Sequence, residues 1–125
     1  MTQKTNSQIQ WRVGRRAVYV FFSGDIEPEL PSPQALVQVA CREQRPLLVL
    51  DFTKADGANT PVLQWIEQLS AMAEADGLRL RVVAQTGSRL RWLLEMLRFS
   101  RFVLVLESVR EAVSLGRPRK RSVHL

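Results

Sequence analysis

Leu47 to Met72, LLVLDFTKADGANTPVLQWIEQLSAM, constrains this chain more than any other stretch: an apolar run meets an acid, a polar segment follows, and a helix then starts abruptly. Leu47 to Leu50 is too short to span a membrane and has the unbroken apolar character of a strand covered on both faces, as in a parallel sheet. Asp51 is expected to end it. Thr53, Lys54, Asp56, Gly57 and Asn59 follow, a set rich in residues that hydrogen-bond their own backbone or accept positive φ, so a loop is expected between Asp51 and Thr60. Asn59 or Thr60 is placed to cap the next helix, and Pro61 fits a first helical position, where no amide partner is needed. Val62, Ile66, Leu69 and Ala73 then recur at helical spacing, Trp65 and Met72 widen the stripe, and Gly77 is expected to end the helix.

The flanking sequence extends this unit into an alternating chain. Ile9, Trp11 and Val13 alternate with polar residues as a half-buried strand does, Gly14 turns the chain, and Ala17 to Phe22 (AVYVFF) supplies a β-branched and aromatic strand that can pair back antiparallel. A helix is expected from near Pro33, with Leu36, Val37, Ala40 and Cys41 on its apolar side, ending between Arg42 and Pro46. Beyond the central unit, Leu78 to Ala84 reads as a strand on which Arg79 and Arg81 form a solvated face. Ser88 caps a helix with Leu90, Leu93, Leu94 and Leu97 in a stripe, Phe102 to Leu106 is a last strand, and Ser108 caps a short helix through Leu115. The order β-β-α-β-α-β-α-β-α predicts a single α/β domain: an N-terminal hairpin, then αβ units, a mixed and mainly parallel sheet, and about four helices.

At 125 residues and 46% apolar content, one domain with a full core is expected. The boundaries fall at a disordered N-terminus over 1–8, the domain over 9–115 and a basic tail over 116–125. The net charge of +6 suggests nucleic acid, yet Arg117, Arg119, Lys120 and Arg121 lie in the last ten residues without an acid; without them 14 bases face 12 acids. A nucleic-acid or anionic-lipid contact would therefore belong to the tail. The one cysteine excludes an internal disulfide, no apolar run approaches a membrane span and no signal peptide is recognisable, so a cytoplasmic protein is expected.

LVLDFTKADGANTPVLQWIEQL resembles the STAS domain of bacterial anti-sigma factor antagonists, in which a strand ending in Asp leads through a loop to an Asp-Ser-Ser-Gly-Leu motif that opens a helix. Ser23-Gly24-Asp25-Ile26 is similar to that family's Gly-Glu-Leu-Asp turn, Gly77-Leu78-Arg79-Leu80 to its helix-to-strand corner, and Arg89 to Phe102 to its leucine-rich third helix. The resemblance spans residues 9–114. It implies a non-catalytic module of transcription regulation that binds a regulatory protein such as an anti-sigma factor kinase, and in partner switching Thr60 matches the phosphorylated hydroxyl. Asn59, Pro61 and Val62 depart from the motif's Asp, second Ser and Gly. The implied contact surface is Gly24, Asp25, Asp56, Asn59, Thr60, Ser88, Trp92 and Met96. A second implied role is accessory subunit of an ABC-type lipid transporter, bound to its ATPase component without phosphorylation.

The residues themselves leave two readings of Thr60, a plain cap beside Pro61 and a hydroxyl at a helix N-terminus where a phosphate is stabilised by the dipole. Trp92 and Met96 likewise sit off the leucine stripe, either as further packing or as an exposed contact patch. Trp11, Trp65 and Cys41 are expected in the core. Catalytic alternatives lack partners. Asp51 has neither the acid pair nor the lysine of a receiver domain, position 53 is Thr rather than the second Asp of an aspartyl-phosphate phosphatase, and the lone His124 lies in the tail. No enzyme, metal or cofactor is expected.

Overall fold

The computed structural model describes residues 8–25, 30–56, 60–101 and 103–116, with backbone only at 8, 56 and 114–116. The expected N-terminal disorder, Asn59 and the basic tail with its nucleic-acid or lipid contact lie outside them. Five strands, β1 (Gln8–Val13), β2 (Ala17–Asp25), β3 (Leu47–Asp56), β4 (Arg79–Val83) and β5 (Leu104–Leu106), form one sheet in sequential order, β1 antiparallel to β2 and the rest parallel. Four helices connect or follow them, α1 (Pro33–Arg42), α2 (Thr60–Ala75), α3 (Arg89–Met96) and α4 (Val109–Gly116), with a 3₁₀ turn at Phe99–Arg101. The α/β architecture expected from the alternation is the one observed.

Sequential order fixes where the helices go. Each parallel crossover is right-handed and advances the sheet in one direction, so α1, α2 and α3 share a face. The larger core lies there: Val18, Val20, Phe22, Leu48, Leu50, Phe52, Leu80 and Val82 from the strands meet Leu36, Ile66, Leu69 and Leu94 from the helices. The alternate residues Ala17, Leu47, Val49, Val83 and Leu106 face the other way and pack under Ala112 of α4. Leu47 to Leu50 is thus covered on both faces, which is why it reads as an unbroken apolar run.

Asp51 does not end the strand. Its Oδ1 accepts from the Thr53 amide at 2.9 Å and the Thr53 hydroxyl at 2.7 Å, and the β2–β3 register shifts at this point, between Phe21 opposite Asp51 and Ser23 opposite Lys54. The side chain thus occupies an amide at an irregularity of the ladder, where the sequence suggests a loop, and β3 runs on to Asp56. Phe52, just inside the shift, stacks on Phe22 with ring centroids 4.4 Å apart, and Phe22 meets Trp65 edge-on at 5.7 Å. The Trp65 Nε1 donates to the Pro31 carbonyl at 2.6 Å. This cluster fixes the first turns of α2 against β2 and β3.

Other expectations are corrected by helix phase and strand position. Trp11 is 49% exposed because β1 is an edge strand and its outward-lying residues extend past the helices that cover β2. Cys41 is exposed: α1 buries Leu36, Val37, Val39 and Ala40, and Cys41 falls about a third of a turn from the middle of that stripe. Leu97 is 48% exposed because α3 ends at Met96 and Arg98 turns to φ 59°, taking the last leucine off the helical face. Within the expected solvated pair, Arg79 is exposed but Arg81 is half-buried.

Candidate functional site

Most of the implied contact residues lie at, or on segments that follow, the carboxyl ends of the parallel strands. β2 and β3 finish side by side, Gly24 opposite Ala55 and Asp25 opposite Asp56. Gly24 has φ 74°, a conformation in which a side chain is strained, and it delivers Asp25 exposed at the strand end. Thr60 is the first residue of α2 and is exposed, as is Pro61, while Val62 and Leu63 turn into the core. The hydroxyl therefore stands at the positive end of a 16-residue helix.

The next crossover starts from the same edge. Ser88 accepts from the Arg91 amide at 3.1 Å and so caps α3, as its sequence position suggests. Trp92 and Met96, four residues apart on α3, are 54% and 51% exposed, which resolves them as a surface pair. A shallow cleft of about 470 Å³ lies beside them, lined by Gly87, Ser88, Arg89, Arg91, Trp92 and Glu95. Thr60, Asp25, Ser88 and the Trp92 pair thus lie on elements that leave one edge of the sheet.

A clamp that sequence reasoning missed holds this edge together. Glu107, just after β5, accepts from the Thr86 hydroxyl at 2.7 Å and from the Thr86 amide at 3.1 Å, and lies 3.6 Å from Arg91 Nη1. Arg91 also donates to the Ala84 carbonyl at 2.7 Å and pairs with Glu95 at 2.8 Å. The Thr86 hydroxyl, then its amide, hold the Glu107 carboxyl below its ordinary value. The partners are 21 residues apart, so no local spacing pointed to them; the signal available was a Thr in one polar loop and an acid after the neighbouring strand. Among the described residues no group of three or more His, Cys, Asp or Glu side chains is placed to hold a metal, and no helix is long and apolar enough to cross a membrane.

No family model matches the chain, and no curated protein does. Solved structures do. An anti-sigma factor antagonist from Mycobacterium paratuberculosis superposes with a TM-score of 0.66 at 16% identity, over 87% of this chain and 92% of that one. The Thermotoga maritima protein TM1081 reaches 0.69 at 11% identity, over 91% and 92%. The anti-sigma factor antagonist SpoIIAA, in its unphosphorylated form, reaches 0.59 at 11% identity, over 94% and 99%. The fold is that of the STAS domain. Each superposition covers nine-tenths or more of the neighbouring chain, so the likeness extends over the whole domain, and identities of 11–16% show fold alone.

Proposed function

We propose that this STAS-like chain is a non-catalytic regulatory module that acts in the cytoplasm by docking on a partner protein, in the manner of an anti-sigma factor antagonist, and that Thr60 is its switch. The exposed Thr60 hydroxyl at the mouth of α2 carries the reading. A phosphate there adds about two negative charges and is stabilised by the helix dipole. The strand ends paired at Asp25 and Asp56 belong to the same edge of the sheet, and a partner seated there would have to desolvate that phosphate. Trp92 and Met96 supply the apolar part of such a surface, the kind of residues that anchor interfaces.

Affinity purification of the intact chain, followed by incubation of the complex with ATP and mapping of phosphate by mass spectrometry, tests this. An anti-sigma-type kinase should co-purify, phosphate should appear on Thr60, and Thr60→Asp should weaken the complex by about tenfold or more. Thr60→Ala should keep the complex and lose the label. A kinase complex in which Thr60 stays unmodified removes the switch. Pro61 favours a second reading, because it takes one amide from the turn that would cradle a phosphate. In that reading the same surface docks, unphosphorylated, on the ATPase component of an ABC-type lipid transporter, and recovery of that component would select it.

A further inference from the structure

Among the described residues α4 packs over β3, β4 and β5, which leaves the same face of the sheet open over the hairpin of β1 and β2. Register identifies what lies there. Gln10 pairs with Phe21 and Arg12 with Tyr19, so these four side chains share the face that holds Ala17 and Val49, away from α1 and α2. Tyr19 and Phe21 are only half-buried, and their rings run nearly parallel, 18° apart in plane with centroids 6.1 Å apart. The Arg12 guanidinium lies over Phe21, 5.2 Å from its centroid. A Cβ at Gly14 would stand 2.6 Å from Tyr19 Cε2, so the glycine lets the phenol ring lie against the turn of the hairpin. The charge here is one-sided. Residues 8–24 hold Arg12, Arg15 and Arg16 and no acid; all three are exposed, and none makes an ion pair with another described residue. Lys54 and Asp51 border a hollow of about 420 Å³ beside Phe21, and the Asp51 Oδ1 is already taken by Thr53. Those two charges offset one another, so the surplus on this face is that of the three arginines.

We propose that the hairpin face of the sheet binds single-stranded RNA, with bases stacked on Tyr19 and on the Arg12–Phe21 pair and phosphates held by Arg12, Arg15 and Arg16. Rings with cations beside them match a chain that repeats a flat base and a phosphate, whereas an acidic peptide would use the cations and leave the rings unmatched. The guanidinium over Phe21 is itself a plane on which a base stacks, and an unpaired strand is required because a duplex turns its bases inward. Gln10, exposed opposite Phe21, supplies a donor and an acceptor for a ribose 2′-hydroxyl, which commits the face to RNA rather than DNA. The face lies on the far side of the sheet from α2, so the site does not depend on Thr60, and it belongs to the folded domain rather than to the basic tail.

Fluorescence anisotropy of a labelled oligouridylate of about a dozen nucleotides, titrated with the full chain over a range of salt concentrations, tests the face. Binding should weaken steeply with salt, and an RNA duplex of the same length should bind at least about fivefold more weakly. Phe21→Leu and Tyr19→Leu, which keep an apolar side chain but no ring, should each weaken binding about fivefold or more. Arg15→Gln combined with Arg16→Gln, at exposed positions outside both cores, should flatten the logarithmic salt slope by about one to two and leave the unfolding temperature unchanged. In the parent, the oligouridylate should shift the amide resonances of Gln10, Arg12, Tyr19 and Phe21 and leave those of α2 in place. The tail is controlled within the full chain: with Arg117, Arg119, Lys120 and Arg121 all changed to Gln, the loss caused by Phe21→Leu should persist at the same ratio. Oligodeoxyuridylate, which lacks the 2′-hydroxyls, should bind more weakly, and equal or tighter binding overturns the assignment to RNA. Polyglutamate that binds as tightly as the oligouridylate and shifts the same amides assigns the face to an acidic peptide instead. RNA binding that the ring variants leave unchanged, that the duplex matches, or that disappears with the tail bases overturns the site.

Discussion

Glu107 and Gln44 show what single side chains do here beyond filling the core. A carboxyl whose folded pKa is depressed gives stability that is present above its unfolded pKa and lost as pH falls through the folded value. Glu107, held down by the Thr86 hydroxyl and amide, is such a group, so acidification below the ordinary carboxylate range should release Thr86 and loosen the loop before α3. Denaturation midpoints of the parent and Glu107→Gln should therefore differ at neutral pH and converge in acid, a small effect because the carboxylate is exposed. Gln44 lies at φ 59° after α1, where a Cβ is unfavourable, and its amide bonds the Cys41 carbonyl through backbone alone. Gln44→Gly should stabilise by roughly 0.5–1 kcal/mol in urea melts, the relief of the left-handed strain less the added backbone entropy of glycine.

α2 is where element-scale packing and the proposed function meet. Its first turns are held by Trp65, which packs edge-on against Phe22 and donates to Pro31, so the orientation of the helix mouth depends on a side chain little more than a turn from Thr60. Trp65→Phe keeps most of the buried area and leaves the Pro31 carbonyl without its donor; a loss of about 1 kcal/mol is expected, with chemical-shift changes at Thr60. Elements like α2 were legible in the sequence because their apolar positions recur at 3.6 and both boundary signals are local. The helix starts at Thr60 and turns on Gly77 at φ 75°. β3 was legible only to Leu50, since an Asp and a Thr two residues apart are turn formers by composition; the strand continues because β2 pairs with it beyond the register shift. The exposed Trp11 and Cys41 follow the same logic, for neither the edge position of a strand nor the phase of a short helix is written in a residue's hydrophobicity. The candidate site was legible as a Thr before Pro61, and its neighbours at Ser88 and Trp92 came from cap and stripe. The Glu107 clamp was not legible, because it requires knowing which strands lie side by side.

For the whole molecule, sequential strand order has an energetic consequence. Among the described residues, three helices cover one face and α4 the other, and the two faces carry unequal cores: the first includes Phe22, Leu50, Phe52, Trp65, Ile66 and Leu69, the second the buried Ala17, Leu47, Val49, Val83, Leu106 and Ala112. β5 is three residues long and β1 pairs on one side only. Local opening costs least where the least apolar surface is buried, so the amides of α4 and β5 should exchange through an opening that leaves β2, β3, β4 and α2 protected. Native-state hydrogen exchange at low denaturant reads this as a ladder of free energies, with β3 at the top and α4 near the bottom. Leu50→Ala, in the large core, should lower the β3 rung by about 2–5 kcal/mol, because it destabilises the global unfolding that the strand amides report, and leave the α4 rung unchanged as long as the local opening remains the lower one. Ala112→Gly, in the small core, should lower the α4 rung by about 1 kcal/mol and the β3 rung by no more than that. Equal protection of α4 and β3 would mean that the minor face is not a separable unit and that the helix behind the Glu107 clamp opens only with the whole domain.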